Sequence, residues 1–155
     1  MINKGDKAPD FTLKGIDKNG NDFEFSLSKH MGKTTVLFFY PKDDTPVCTM
    51  ESRDFSDVAH IEPYADIIGI SRDDIESHKK FYKKYDLKVA LLSDTDESVH
   101  KLYGAINDKG EDGHINRSTF LINKDGEVVR VWNHVQIDGH VEEVIRAIKE
   151  DAEKI

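Results

Sequence analysis

Hydrophobic positions change period several times along the chain, and each change marks an element. Phe11–Leu13 and Phe23–Phe25 are short apolar pieces on either side of Lys18-Asn19-Gly20-Asn21. Asn-Gly favours the tight turns that join antiparallel strands, so these pieces predict a small N-terminal hairpin. Thr35–Phe39 is an unbroken β-branched and aromatic run, the pattern of a strand buried on both faces. After Pro41, the residues Val47, Met50, Phe55, Val58 and Ala59 fall on about half of a helical wheel and predict an amphipathic helix. Ala65–Ile70 reads as a second buried strand.

Ser71-Arg72-Asp73-Asp74 then supplies caps for a helix whose stripe is Ile75, His78, Tyr82 and Tyr85. Val89–Leu92 predicts a short strand, and Asp94–Tyr103 a short helix stopped by Gly104. Ser118–Ile122 and Val128–Trp132 flank Asn123-Lys124-Asp125-Gly126, a second hairpin by its Asp-Gly turn. A closing helix carries Val141, Val144, Ile145, Ile148 and Ala152 on its buried stripe. The order is a βαβ half, an intervening helix, then ββα. It implies an α/β fold of thioredoxin-like type: a mixed central sheet, helices on both faces and a short N-terminal hairpin. No repeat, low-complexity stretch or linker interrupts it, so residues 1–155 are expected to form one domain.

Composition narrows the function classes. The chain is 37% hydrophobic and 34% charged. Its longest apolar run, Val36–Tyr40, is far short of the ~20 residues that cross a bilayer. The opening MINKGDKAPDF has no apolar segment of the kind found in secretory signals, so a cytoplasmic location and no membrane partner are expected. A net charge of −8 argues against nucleic acid, and Lys79, Lys80, Lys83 and Lys84 read as a solvated helix face.

The seven histidines include no His-x-x-x-His pair, and His140 reads as structural. Asp73-Asp74 and the run Ser93–Glu97 read as helix caps, without the glycine and spacing of a calcium loop. No metal and no cofactor are expected. A single cysteine excludes an internal disulfide, so a thiol from elsewhere must complete any covalent redox cycle.

That cysteine lies in the most informative segment, Tyr40 to Glu51, between the central strand and the first helix. Thr45 reads as the N-cap and Pro46 as the first helical residue, which places Cys48 in the first turn. Free N–H groups and the positive end of the helix dipole favour a thiolate there. The Thr45 hydroxyl and the helix-start amides are candidate donors to an oxygen that departs during attack. As a residue class, free cysteine is a small buried hydrophobe. The caps, the strand-to-helix junction and the polar Asp43-Asp44 loop point instead to a reactive role.

The block Pro41-x-x-x-Thr45-x-x-Cys48, with Glu51 three residues on, resembles the peroxiredoxin active-site loop. The wording YPKDDTPVCTMES is similar to the bacterioferritin-comigratory-protein branch, the thiol peroxidase Q type. The opening Gly5–Phe11, the strand Arg117–Ile122 and the turn Ile137–His140 resemble further parts of that family in the expected order.

The resemblance implies a thiol-dependent peroxidase that reduces hydrogen peroxide, alkyl hydroperoxides or both through a Cys48 sulfenic acid. Thr45 would hydrogen-bond the peroxide, Arg117 would hold Cys48 as thiolate, Pro41 would shield the sulfur and Glu51 would buttress the loop. The chain departs from the branch at Arg53, where a resolving cysteine is frequent, and at Val47, where glycine is frequent. A one-cysteine mode follows, with an external thioredoxin-, glutaredoxin- or small-thiol-type reductant, in a monomer or weak homodimer. A thiol–disulfide exchanger, whose usual Cys-x-x-Cys would read Thr-Pro-Val-Cys here, and a redox sensor or holdase on the same fold remain alternatives.

Overall fold

The computed structural model describes residues 2–30, 32–58, 65–106 and 115–153. Ala59, His60 and His114 lie outside these residues, as does the side chain of Ala152. Among the described residues, seven strands form one mixed sheet in the order β2-β1-β5-β4-β3-β6-β7. The N-terminal hairpin is β1 (Thr12–Ile16) and β2 (Asp22–Ser26), paired antiparallel. The central strand β3 (Thr35–Phe39) is buried along its whole length. It runs parallel to β4 (Asp66–Ser71), which runs parallel to β5 (Ala90–Ser93). On its other side β3 pairs antiparallel with β6 (Ser118–Ile122), and β7 (Val128–Trp132) closes that edge.

Alternation along β3 sorts side chains to two cores. Val36, Phe38 and Tyr40 face the layer of α1 (Pro46–Asp57), α2 (Ile75–Tyr85) and α4 (His140–Glu153). Leu37 and Phe39 face the other layer, which contains Val99 of α3 (Ser98–Leu102) together with Ala8 and Phe11. Phe38 stacks on Phe55 of α1 with ring centroids 4.6 Å apart. The space for Phe38 comes from Gly69 on the neighbouring strand, where an added Cβ would lie 2.7 Å from the ring.

Two apolar stripes differ from the pattern. On α1 the buried positions are Cys48, Glu51, Ser52 and Phe55, whereas Val47 and Met50 are exposed by 43% and 51%. The wheel is rotated because its inward face carries polar residues, which a search for apolar positions passes over. On α2, Phe81 is buried beside His78, and Ile75, Tyr82 and Tyr85 pack at the margin.

The register sets the position of the site. β3, β4 and β5 end at the same edge of the sheet because they are parallel. Phe39 pairs with Ser118, so the antiparallel β6 begins at that edge and brings in Arg117. The turn after β3 and the start of α1 therefore meet a residue far away in sequence.

Candidate active site

α1 begins where Asp44 adopts a left-handed backbone (φ 59°) and Thr45 an extended one. Pro46 fits the first helical position, since its fixed φ is helical and its missing N–H would have no partner there. The first helical bond runs from Thr49 N to Thr45 O at 2.8 Å. Cys48 is then the third helical residue, and only 1% of it is exposed.

The Thr45 side chain does not cap the helix. Its hydroxyl turns back and donates to Lys42 O at 2.8 Å, which closes the loop on itself. The hydroxyl proton is thereby engaged, so the oxygen is left as an acceptor rather than the donor expected from the sequence.

Arg117 spans two groups of α1. Its Nη2 donates to Cys48 Sγ at 3.1 Å, and its Nη1 donates to Glu51 Oε1 at 2.7 Å. Glu51 is fully buried, and its Oε2 has no hydrogen-bond partner among the described residues. Burial pushes its carboxyl up to about 7, against the opposing pull of Arg117. Burial works against the charge of Arg117 too, but Glu51 and Cys48 outweigh it and hold the guanidinium above its ordinary range. Behind this group, burial pushes His140 down to about 4. Its Nε2 lies 2.9 Å from Thr119 Oγ1, so His140 packs the base of the site as a neutral ring.

In front of the sulfur is an open cleft of about 960 Å³, walled by Pro41, Thr45, Val47, Arg117, Arg72 and Thr95 among others. The structure thus brings together all five residues singled out from the sequence.

The profile of the family described as AhpC/TSA matches residues 4–131. The chain belongs to this family. Within it, the chain belongs with the bacterioferritin-comigratory and Q-type peroxiredoxins. It is 40% identical over 159 residues to peroxiredoxin Bcp of Bacillus subtilis, with 99% of each chain covered. It is 41% identical over 154 residues to chloroplastic peroxiredoxin Q of Triticum aestivum, covering 96% of this chain and 67% of that one. Among solved structures, the Xanthomonas campestris bacterioferritin comigratory protein, described by its alkyl peroxide reduction activity, superposes with a TM-score of 0.81. That match has 35% identity and covers 92% of each chain.

Several neighbours of this family site are not evident from the motif. Asp43 reads as part of a polar loop, yet it is buried, and its Oδ2 lies 2.8 Å from His78 Nδ1. Asp74 caps α2 as expected, accepting from Ser77 N at 2.8 Å. Asp73 instead accepts from Asp43 N and from Ser71 Oγ, each at 2.7 Å. Asp94 is a cap as read from the sequence, taking Val99 N and His100 N of α3. Among the described residues no group of three or more His, Cys, Asp or Glu side chains is gathered to hold a metal, and no helix is long and apolar enough to cross a membrane.

Proposed function

We propose that this chain is a thiol-dependent peroxidase with Cys48 as its nucleophile. The Cys48 thiolate attacks the nearer oxygen of ROOH and the O–O bond breaks. The departing oxygen takes a proton, giving ROH and Cys48 sulfenic acid. The contact that carries the reading is Arg117 Nη2 at 3.1 Å from Sγ, on the first turn of a helix. A fixed cation at that distance favours the anionic sulfur and then the charge that develops on the peroxide oxygens.

Thr45 Oγ1 is placed to accept the O–H of the peroxide, because its own proton is held by Lys42 O. Pro41 shields the sulfur from water, and Glu51 aims Arg117 through its second amino group. The cleft has room for an alkyl substituent, so alkyl hydroperoxides join hydrogen peroxide as substrates.

Cys48 is the sole cysteine of the chain, so an external thiol completes the cycle. A first thiol condenses with the sulfenic acid, releasing water and leaving a mixed disulfide. A second thiol releases Cys48 and carries the disulfide away. A thioredoxin-, glutaredoxin- or small-thiol-type reductant fits this chemistry. We place the enzyme in the cytoplasm as a monomer or weak homodimer that binds neither membrane nor nucleic acid; its net charge of −8 disfavours a nucleic-acid partner.

The test is peroxide consumption with excess thiol, together with intact mass after one equivalent of peroxide. The wild type is expected to gain one oxygen that thiol removes, and Cys48→Ser is expected to consume no peroxide. Full activity in Cys48→Ser would end the proposal.

A further inference from the structure

The turn that carries Pro41 and Thr45 is held from beneath by a buried carboxylate. Asp43 is 6% exposed although its neighbours Lys42 and Asp44 face solvent. Its Oδ1 accepts from the Tyr40 hydroxyl at 2.7 Å, and its Oδ2 accepts from Ser77 Oγ at 2.8 Å. The same Oδ2 lies 2.8 Å from His78 Nδ1. His78 is fully buried on α2, and its other ring nitrogen, Nε2, is 3.0 Å from the backbone oxygen of Leu92 on β5. A backbone carbonyl can only accept, so Nε2 carries a proton. Nδ1 faces a carboxylate, which is also an acceptor when ionised.

We infer that His78 is a buried imidazolium paired with the Asp43 carboxylate, and that this pair is the positioning element that keeps Pro41 and Thr45 over the Cys48 sulfur. The catalytic half of the inference rests on the peroxidase reading; the ionic half does not.

Every element around the pair is consistent with that charge state. From the end of β3 comes the Tyr40 phenol. Burial and the charge of Asp43 raise it well above its ordinary range, so it remains a donor. From the β4–α2 turn comes a second carboxylate, Asp73, which takes the Asp43 backbone N–H. From α2 comes the Ser77 hydroxyl, and from β5 the Leu92 carbonyl. One imidazolium between the Asp43 carboxylate and the Leu92 carbonyl leaves no donor facing a donor. The turn is also tied through Asp44 to Lys84 and Tyr85, but those contacts are exposed and hold it weakly. Asp43 is therefore the firm anchor of the turn. Removing the donor at Nδ1 leaves the buried Asp43 oxygen short of a partner, and the carboxylate must then move toward water.

Two side chains separate the halves of the imidazole. The amide nitrogen of asparagine overlaps Nδ1 and keeps the donor to Asp43, whereas that of glutamine overlaps Nε2 and keeps only Leu92. Stopped-flow reaction of reduced protein with hydrogen peroxide is expected to leave His78→Asn within about threefold of wild type and to slow His78→Gln about 10- to 100-fold, the cost of a misplaced turn. Asp43→Asn, which keeps the shape without the charge, is expected to slow the reaction by a comparable factor through an independent substitution. In ¹⁵N-edited NMR of the wild type at about pH 7, both ring nitrogens of His78 are expected to carry protons.

A bare ring nitrogen would overturn the ion pair. Equal losses in the asparagine and glutamine variants, or a glutamine variant as fast as wild type, would overturn the positioning role. A wild type inert to peroxide would instead remove the peroxidase reading, and the NMR result would still decide the pair.

Discussion

Replacing Glu51 with glutamine tests the electrostatics of the site without removing a shape. Glu51 is fully buried, and even with Arg117 beside it the carboxyl rises from 4.5 to about 7. At about 1.4 kcal/mol per pKa unit, the ionised form costs the folded state about 3 kcal/mol relative to a neutral isostere. The sign follows from proton counts. Between 4.5 and about 7 the folded protein holds a proton that the unfolded chain has released, so wild-type stability falls as pH rises through that window. Above it the loss is complete and constant.

Glutamine never ionises, yet its oxygen still accepts from Arg117. Glu51→Gln is therefore expected to match wild type below about pH 4.5 and to gain progressively up to about 3 kcal/mol by pH 8. Urea unfolding followed by circular dichroism at several pH values measures both curves. His140, held at about 4 by burial, lowers stability as pH falls below 6.5. It does so in both proteins and cancels in the difference. A difference that stays flat across the window, or a variant less stable than wild type at pH 8, would refute the argument.

Other substitutions probe neighbouring contacts. Arg117→Ala is expected to slow the peroxide step about 100-fold. The same variant strands Glu51, so it is also expected to lose about 3 kcal/mol at pH 8 and less at pH 5, where Glu51 takes up a proton. Thr45→Val, measured by the same kinetics and by urea unfolding, should lose about 10- to 100-fold in peroxide rate. Its stability should change by less than about 1 kcal/mol, because the hydroxyl does not cap the helix. Ser52→Ala is expected to stabilise the protein by about 1 kcal/mol in urea unfolding, since Ser52 Oγ is buried without a hydrogen-bond partner among the described residues. Met50→Ser, on the exposed side of α1, should change stability by less than about 0.5 kcal/mol.

Much of the fold is legible because its elements carry one period each. β3, β6 and β7 have the bounds that their apolar runs predict, and both hairpins form around their glycine turns. α1 is the informative exception. A helix that only packs on a core has an apolar inward face, but this one turns Cys48, Glu51 and Ser52 inward. Polar groups can be buried there because Arg117 arrives to pair with two of them. That pairing depends on the register of β3 against β6, which no local pattern contains.

Within the site, the reactive groups are local in sequence and their supports are not. Pro41, Thr45, Cys48 and Glu51 lie within one short segment, and helix-capping rules alone place the sulfur in the first turn. Their supports lie far away in sequence: Arg117 for the sulfur, and His78 for Asp43. His78 sits at a stripe position on α2, where a histidine reads as one more half-apolar side chain. Its second role appears only when α2 and β5 close around the turn and leave both ring nitrogens facing acceptors. Reactive groups must be clustered in space, and here the chain also clusters them in sequence. The groups that fix their positions must come from other elements, because a turn cannot brace itself against its own backbone.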